Sequence, residues 1–220
     1  PFDYEAPPPG PDECVVKVHC CGICHSDIHM IDNDWMRTTF PLVPGHEVVG
    51  EVVEKGRDVA HLAVGERVGI GWQRSACLAC DECLSGREHV CPERTGLITD
   101  GHGGFAEHLV VDSRFAFALP DGVESEKAGP VLCGGATVYS ALRRAGLSSG
   151  GRVGVIGVGG LGHLAIQFAA NLGNSVTAFT TSRDKAEEAA FFGADDAVVT
   201  VPGEPVTAPR RFDIIINTAP

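Results

Sequence analysis

The feature that most restricts the fold is a strand, a glycine-rich turn and a helix in direct succession from Arg152 onward. The apolar segment 152–156 is typical of a strand buried on both faces of a sheet, and helical spacing runs through 161–172. Between them lies the pattern G-x-G-x-x-G, formed by Gly157, Val158, Gly159, Gly160, Leu161 and Gly162. These glycines permit a tight turn and let a pyrophosphate approach the helix N-terminus. We predict that this turn binds a dinucleotide, with a plain strand-to-helix turn as the alternative.

Strands and helices continue to alternate beyond this turn. Further segments are predicted as strands at 176–179, 197–201 and 212–217, helices at 125–142 and 183–192, and a loop at 203–210. Alternating β and α segments indicate a parallel sheet, and four of the roughly six strands of a complete dinucleotide fold are present. We therefore predict an α/β chain whose second domain, 125–220, is a doubly wound parallel sheet that is truncated at its C-terminal side.

The first half of the chain has a different pattern, in which short β-branched runs are broken by Gly, Pro and Asp. Such runs predict strands at 15–18, 48–53, 67–70, 105–111 and 115–119. A cysteine-rich loop, 77–91, interrupts them. We expect an all-β domain over 1–124, and we expect it to lack its first residues because the chain does not begin with Met.

Four of the nine cysteines lie close together in that loop. Cys77, Cys80, Cys83 and Cys91 have the spacing C-x2-C-x2-C-x7-C. Steps of three residues let a looping chain present successive sulfurs to one point, and zinc takes four tetrahedral ligands. Because the protein would supply all four ligands, we predict a closed, structural zinc site. Free or disulfide-linked surface cysteines are the alternative.

Three other residues form a second candidate metal site although they lie far apart in the sequence. Cys24, His46 and Cys133 each occur beside glycine, where the backbone can bring a short side chain to a point. Two cysteines and one histidine are the ligand set of the catalytic zinc in alcohol dehydrogenase, and they leave one position open. The alternative is that the histidine is a hydrogen-bonded turn residue and that the cysteines are buried small apolar residues.

The type of dinucleotide should be decided at the end of the second strand of the α/β domain. An acidic residue there would hydrogen-bond the ribose of NAD, but none is present. Hydroxyl groups and cations that suit a 2′-phosphate stand there instead: Thr180, Thr181, Ser182, Arg183 and Lys185. We therefore favour NADP, with solvated charges at a helix start as the alternative for the two cations.

Composition excludes several classes of partner. A net charge of −12 disfavours nucleic acid and anionic membrane, since both need a basic face. The sequence has no apolar run of about 18 residues, which a membrane span requires, and no secretory signal pattern. An odd number of cysteines argues against a complete disulfide set, so we expect a reducing cytoplasm.

Five motifs in this order resemble the zinc-dependent medium-chain alcohol dehydrogenases, and more narrowly the cinnamyl alcohol dehydrogenase branch with its bacterial NADPH-dependent aldehyde reductases. The motifs are Gly22-Ile23-Cys24-His25-Ser26-Asp27, Gly45-His46-Glu47, the four-cysteine loop, 132–139 (LCGGATVY) and the glycine turn. The resemblance covers essentially all 220 residues. It implies a GroES-like β-barrel catalytic domain followed by a Rossmann domain, with each domain truncated at its outer end.

The resemblance also implies roles for individual residues. Cys24, His46 and Cys133 would bind the catalytic zinc, and the four loop cysteines would bind the structural one. Asp27 would orient His46, and Glu47 would be able to approach the metal. Ser26 and His29 would relay the proton. Cofactor contacts would be made by His25, Thr137 and Thr180.

The implied activity is the interconversion of primary alcohols and aldehydes with NADP(H), mainly as an aldehyde reductase. Alternatives are an NAD-linked polyol or secondary alcohol dehydrogenase, and a non-catalytic zinc- or nucleotide-binding relative. The partner would be a small-molecule aldehyde or alcohol, and a homodimer of the full-length protein stays open. Bulky residues that we interpret as lining the substrate pocket, with core packing as the alternative, are Trp35, Met36, Trp72 and Gln73.

Overall fold

The computed structural model describes residues 3–206 and 211–219, which form two compact units, Pro1–Cys133 and Gly134–Pro220. The sequence analysis placed the boundary earlier, between 124 and 125. The difference arises because the first helix of the expected second domain, α3 (Ser125–Pro130), packs against strands of the first unit. Residues 125–133 therefore belong with the first unit.

The first unit is built mainly from antiparallel strands. Its elements are β1 (Glu13–Gly22), α1 (His25–Asp32), β2 (Glu47–Lys55), β3 (Arg67–Ile70), β4 (Gln73–Ser75), α2 (Asp81–Leu84), β5 (Thr95–Gly96), β6 (His108–Asp112), β7 (Phe117–Ala118) and α3. Five strands form a sheet in the order β6-β1-β2-β3-β7, and β4 pairs with β5. The sheet buries one face: on β1, the alternate residues Cys14 and Val16 are fully buried, whereas Lys17 is exposed.

Two expected strands are shorter in the structure. The strand expected at 105–111 begins only at His108, because the backbone of Gly104 and Phe105 bonds to the loop at Pro44 and Gly45 instead. The strand expected at 115–119 is reduced to β7, since a 3-10 turn occupies Ser113–Phe115. A third difference is α1, which the sequence analysis did not predict.

The second unit is a four-stranded parallel sheet with helices. Its elements are α4 (Ala136–Arg144), β8 (Arg152–Ile156), α5 (Gly162–Asn171), β9 (Ser175–Thr180), α6 (Arg183–Phe191), β10 (Asp196–Val199) and β11 (Ile214–Asn217). The strand order is β10-β9-β8-β11, and every pairing is parallel. This order equals the first four strands of the doubly wound dinucleotide fold, in which the chain changes direction beside the first strand, here β8. The predicted strands and the α/β fold class are confirmed; the expected loop at 203–210 lies partly outside the described residues.

The helix expected at 125–142 is three segments rather than one. A π-helix, Val131–Gly135, separates α3 from α4. Pro130 has no backbone N–H to donate, and Gly134 and Gly135 have low helix propensity. The regular hydrogen-bond ladder is therefore interrupted here. This irregular turn carries Cys133. Within the described parts of the chain, no helix is long and apolar enough to cross a membrane.

Candidate metal and nucleotide sites

Cys24 occupies the N-cap of α1, where its side chain faces the cluster described below. Its backbone is extended, and its N–H donates to the carboxylate of Asp27 at 2.9 Å, while the N–H of Asp27 donates to the carbonyl of Cys24 at 3.0 Å. This reciprocal pair resembles a capping box, in which the third helical residue closes the first turn. Asp27 therefore fixes the position from which the Cys24 sulfur projects.

The other carboxylate oxygen of Asp27 holds His46. It accepts hydrogen bonds from the backbone N–H of Gly45 at 2.9 Å and from Nδ1 of His46 at 3.0 Å, and both side chains are completely buried. Because Nδ1 donates to a carboxylate, Nε2 is left as the ligand atom. Asp27 thus contacts the imidazole that the resemblance predicts it to orient, and its role at a metal site stays a prediction.

Cys133 completes the group from the π-helix. Its Sγ lies 3.2 Å from Nε2 of His46 and 3.9 Å from Sγ of Cys24. Two sulfurs bound to one tetrahedral zinc at about 2.3 Å stand about 3.8 Å apart, so these donors have the spacing that zinc requires. Cys24, His46, Glu47 and Cys133 each offer a ligand atom, and the four atoms all lie within 4.8 Å of one another.

Glu47, at the start of β2, is a buried carboxyl group beside this cluster. Only 5% of it is exposed. Its side chain fits against Gly22, where an added Cβ would stand 2.1 Å from Glu47 Oε2. Burial, together with the negative charge of Cys24, raises the pKa of Glu47. The cluster thus contains three strong zinc ligands and one carboxyl group that is less readily ionised.

The polar neighbours of Cys24 favour its thiolate. Hydrogen bonds from Cys133, His46 and the backbone and hydroxyl of Ser26 lower the pKa of Cys24 to about 3. Burial opposes the charged form of Asp27, but hydrogen bonds from His46 and from the backbone of Cys24 and Gly45, with the charge of His46, together outweigh it and lower the pKa of Asp27. The thiolate is the form of cysteine that binds metals, so the site is electrostatically prepared for a cation.

The expected relay residues lie along α1 next to this cluster. Ser26 and His29 are three residues apart and therefore project from the same side of the helix. Nδ1 of His29 is 2.7 Å from a carboxylate oxygen of Asp34, and its ring lies 4.7 Å from that of His25. Asp34 was missed by the sequence analysis; it follows the left-handed C-cap residue Asn33, and only the unpredicted α1 brings it back toward His29.

Trp72 packs directly against the candidate catalytic metal ligand. Its ring centroid is 4.9 Å from that of His46 and 6.2 Å from that of Trp35, and Trp35 lies 5.1 Å from His29. Of the residues expected to line a substrate pocket, Trp35 and Trp72 are thus brought beside the cluster. Met36 is 87% exposed, and Gln73 donates its amide to the carbonyl of Glu88.

The four loop cysteines also converge on one point. Their ligand atoms lie within 4.8 Å of one another, with Sγ of Cys77 at 3.5 Å from that of Cys91 and 3.9 Å from that of Cys83. These separations again bracket the sulfur spacing of a tetrahedral zinc site. Backbone N–H groups of Ala79 and Cys80 lower the pKa of Cys77 to about 7. All nine cysteines are free thiols, so the disulfide alternative is wrong.

The three glycines that define the G-x-G-x-x-G pattern after β8, Gly157, Gly159 and Gly162, have distinct structural roles. Gly157 has φ +87°, a conformation that side chains disfavour, and a Cβ added at Gly162 would stand 1.9 Å from the carbonyl oxygen of Gly157. A Cβ at Gly159 would meet no atom of the described residues within 4 Å. The first and last glycines are thus required by the fold, whereas Gly159 leaves open space where a pyrophosphate could approach.

Two alanine substitutions should separate these roles. We expect Gly162→Ala to lower the free energy of unfolding by about 1–3 kcal/mol, because the methyl group collides with backbone. Gly159→Ala should change it by less than about 0.5 kcal/mol, yet weaken NADPH binding by occupying the open space. Denaturant unfolding and NADPH fluorescence titration measure both quantities. Equal NADPH affinity of Gly159→Ala and the parent would contradict a pyrophosphate at this turn.

The segment after β9 combines structural and exposed hydroxyl groups. Thr180 is buried, and its hydroxyl accepts the N–H of Ser182 at 3.2 Å, while Ser182 caps α6 by accepting the N–H of Lys185 at 3.4 Å. Thr181, Arg183 and Lys185 are exposed. Thr137 is exposed on α4, and His25 is exposed on α1. The structure leaves their cofactor contacts as predictions.

A family model now places these two sites in a known context. The model described as the alcohol dehydrogenase GroES-like domain matches residues 10–121. The chain belongs to this alcohol dehydrogenase family. The expected GroES-like first domain is thereby confirmed, and it contains both clusters of candidate zinc ligands apart from Cys133, which follows it.

Individual members of the family are similar to the chain over nearly its whole length. It is 42% identical to an aldehyde reductase from Synechocystis sp. over 99% of the chain and 65% of that protein. It is 43% identical to a probable cinnamyl alcohol dehydrogenase from Populus deltoides over 100% of the chain and 64% of that protein. The structure of a cinnamyl alcohol dehydrogenase from Helicobacter pylori complexed with NADP(H) matches with a TM-score of 0.89, 31% identity and coverage of 96% of this chain and 62% of that one.

The chain spans just under two thirds of the length of the two proteins matched by sequence. The resemblance to the cinnamyl alcohol dehydrogenase branch is confirmed by these matches, as is the α/β architecture. The activity, substrate and assembly of the whole protein are taken up as proposals below.

Proposed function

We propose that the protein is a zinc-dependent, NADP(H)-linked alcohol dehydrogenase that acts mainly as an aldehyde reductase. The observation that carries this proposal is the convergence of Cys24, His46 and Cys133, with Asp27 fixing the imidazole. Three protein ligands leave one position of a tetrahedral zinc for a substrate oxygen, whereas the four loop cysteines leave none. One catalytic and one structural zinc ion per chain follow from this difference.

The donor sets suit the two metals by their chemistry. Thiolate and imidazole are the ligands that zinc prefers, and both clusters have the sulfur spacing of a tetrahedral site. When bound, the catalytic zinc would polarise a carbonyl group as a Lewis acid, and NADPH would supply hydride. The protein's own contribution is to hold the ligands, line the substrate cleft and move the proton.

Proton delivery to the product oxygen would begin at the hydroxyl of Ser26. Ser26 lies at the cluster, and His29 stands one helical turn further along α1. Asp34 accepts a hydrogen bond from Nδ1 of His29, so Nε2 is the atom left to exchange a proton. Serine alone is a poor acid, and its connection to His29 gives the relay an imidazole that can both donate and accept a proton. In the oxidative direction the same residues would accept the proton of the alcohol.

The preference for NADP(H) rests on the segment after β9. No acidic side chain stands at the end of this strand, and Arg183 and Lys185 are exposed at the start of α6. A 2′-phosphate gains charge-assisted hydrogen bonds from such cations, and a carboxylate that would repel it is missing from the strand end. The Helicobacter pylori relative is described as complexed with NADP(H). An NAD-linked polyol dehydrogenase is disfavoured for the same reason.

The setting and assembly of the protein are further parts of the proposal. Nine free cysteines, of which six belong to the two metal clusters, suit a reducing cytoplasm. The strongly acidic charge disfavours nucleic acid and membrane surfaces as partners. We propose small aldehydes and alcohols as the ligands and leave a homodimer as the assembly to be tested.

The proposal is tested by following NADPH in the presence of an aldehyde. The full-length protein, loaded with zinc, should oxidise NADPH only when an aldehyde such as benzaldehyde is present, and NADH should support a rate at least about tenfold lower. Absorbance at the nicotinamide band measures both rates. A protein that binds NADPH with a stable fluorescence signal but consumes none with any aldehyde would instead be a non-catalytic relative. Equal rates with NADH would overturn the cofactor assignment alone.

A further inference from the structure

A basic cavity adjoins the candidate catalytic cluster. It has a volume of about 570 Å³, which is within the range of small-molecule sites, and its lining includes Arg37, Trp72, His89 and Arg94. Concentrating two arginines in one cavity is unexpected in a chain with a net charge of −12. No residue of this cavity except Trp72 and Gln73 entered the sequence interpretation of the substrate pocket.

The two arginines are available to a ligand. Neither Arg37 nor Arg94 forms an ion pair with any residue that the structure describes; Arg94 donates one Nη1 hydrogen bond to the carbonyl of Cys91 at 3.1 Å. Both side chains are exposed. A guanidinium has five donors in a planar fork, so most of the donors of each arginine remain to bind a carboxylate or phosphate.

The one acidic side chain in the lining is already engaged. Asp100 accepts hydrogen bonds from the backbone N–H of Gly96 at 2.8 Å and from the hydroxyl of Thr99 at 2.6 Å. These bonds close the turn after β5, so this carboxylate has a structural role. The cavity therefore keeps an excess of positive charge.

One side chain, that of Trp72, connects the cavity with the candidate catalytic cluster. Trp72 lines the cavity, and its ring lies 4.9 Å from the ring of His46 in an edge-on arrangement. Gly96 lets Thr99 and Trp72 pack closely at this side of the cavity, because an added Cβ would stand 2.3 Å from Thr99 Oγ1 and 3.4 Å from Trp72 Nε1. A substrate whose carbonyl approaches His46 and whose chain passes over Trp72 would thus direct its far end toward the arginines.

We propose that the protein prefers aldehydes that carry an anionic group, a carboxylate or a phosphate, at the end remote from the carbonyl, and that Arg37 and Arg94 bind this group. This inference rests on the proposed reductase function, since it names the substrate class of the same site. The two arginines determine specificity by binding the substrate, and they take no part in the hydride or proton step.

The first test measures anion binding without turnover. The chain contains only two tryptophans, Trp35 and Trp72, so their fluorescence reports on this region. Glutarate and glycerol 3-phosphate are titrated separately, with glutaramide and glycerol as neutral counterparts. We expect at least one anion to bind about tenfold more tightly than its counterpart, and the stronger of the two identifies the anionic group. Added salt should weaken this binding.

Variants assign the effect to the cavity. The double substitution Arg37→Gln/Arg94→Gln should remove the difference between the anion and its neutral counterpart. The matched control Arg57→Gln changes an exposed arginine outside the cavity and should preserve it. Should the double variant unfold, Arg37→Gln alone gives the readout, because Arg37 donates no hydrogen bond to any residue that the structure describes. Equal affinity for anion and neutral counterpart, or equal anion binding in the double variant and the parent, would overturn the inference.

The second test separates this inference from the proposed function. In the full-length enzyme, kcat/KM for succinic semialdehyde is compared with that for butyraldehyde, which has the same chain length without the charge. We expect a preference of about tenfold for the charged aldehyde, lost in the double variant through a higher KM. Reduction of both aldehydes at the same kcat/KM leaves the reductase intact and sinks the anionic preference. Anion binding without reduction of any aldehyde would support the anion site and contradict the proposed reductase function.

Discussion

Replacing Cys24 by alanine in the full-length protein is expected to abolish aldehyde reduction while leaving the fold intact. Cys24 supplies one of three protein ligands to the candidate catalytic zinc and projects from the N-cap of α1, where its backbone makes the capping bonds. Loss of residues that merely orient metal ligands costs about 10–100-fold in affinity or activity, so loss of a ligand should lower kcat/KM by more than about a hundredfold. Zinc content should fall by one ion per chain.

Cys20→Ala is the matched control for this experiment. Cys20 lies on β1, is partly buried, and belongs to neither cluster of candidate ligands. This variant should retain its full zinc content, its turnover and a parent-like thermal midpoint. Normal turnover in Cys24→Ala, or an unchanged zinc content, would show that the cluster at Cys24 is not the catalytic metal site.

Replacing Cys80 by serine should damage stability far more than chemistry. The loop that contains α2 and the 3-10 turn at Glu88–Val90 has few apolar side chains. Its four cysteine sulfurs converge on one point, where a metal ion would hold the loop together. Structural zinc supplies folding free energy directly, so removal of one ligand should cost about 3 kcal/mol or more. For a chain of this size that corresponds to a fall in melting temperature of roughly 6–12 °C.

The measurement is a thermal melt by circular dichroism, combined with zinc analysis. Cys80→Ser should retain the catalytic zinc and lose the structural one, and chelator should lower the melting temperature of the parent toward that of the variant. Cys20→Ser provides the control for a cysteine-to-serine change on a strand. A melting temperature of Cys80→Ser equal to that of the parent would argue against a structural metal at this loop.

Local sequence spacing was sufficient for the features that depend on short-range geometry. The four loop cysteines, the glycine turn with its flanking strand and helix, and the parallel α/β unit all appear in the structure where the pattern indicated. Each is determined within about 30 residues, by the reach of a looping chain or by the period of a helix or strand. Strand ends were less well predicted: β6 is shorter because loop contacts replace ladder bonds, and β7 is shorter because a 3-10 turn precedes it.

The catalytic cluster required more than spacing. Cys24, His46 and Cys133 are grouped by resemblance to a known family, while the contacts that make them a site come from three separate elements. Neither the helix α1, which positions Cys24, nor the π-helix, which carries Cys133, was predicted. Both are short and depend on packing and on bonds to distant groups, such as those that Asp27 makes to Gly45 and His46.

The sequence by itself determined which residue types are available: seven thiol and imidazole ligands, a phosphate-binding turn, and hydroxyls and cations in place of an acid after β9. Tertiary structure alone decided which of them meet and what surrounds them. The bond from His29 to Asp34, the packing of Trp72 on His46, and the gathering of Arg37 and Arg94 in one cavity join parts of the chain that no local pattern relates. The physical reason is that hydrophobic burial and β-pairing set these distances, and they act between residues far apart in sequence.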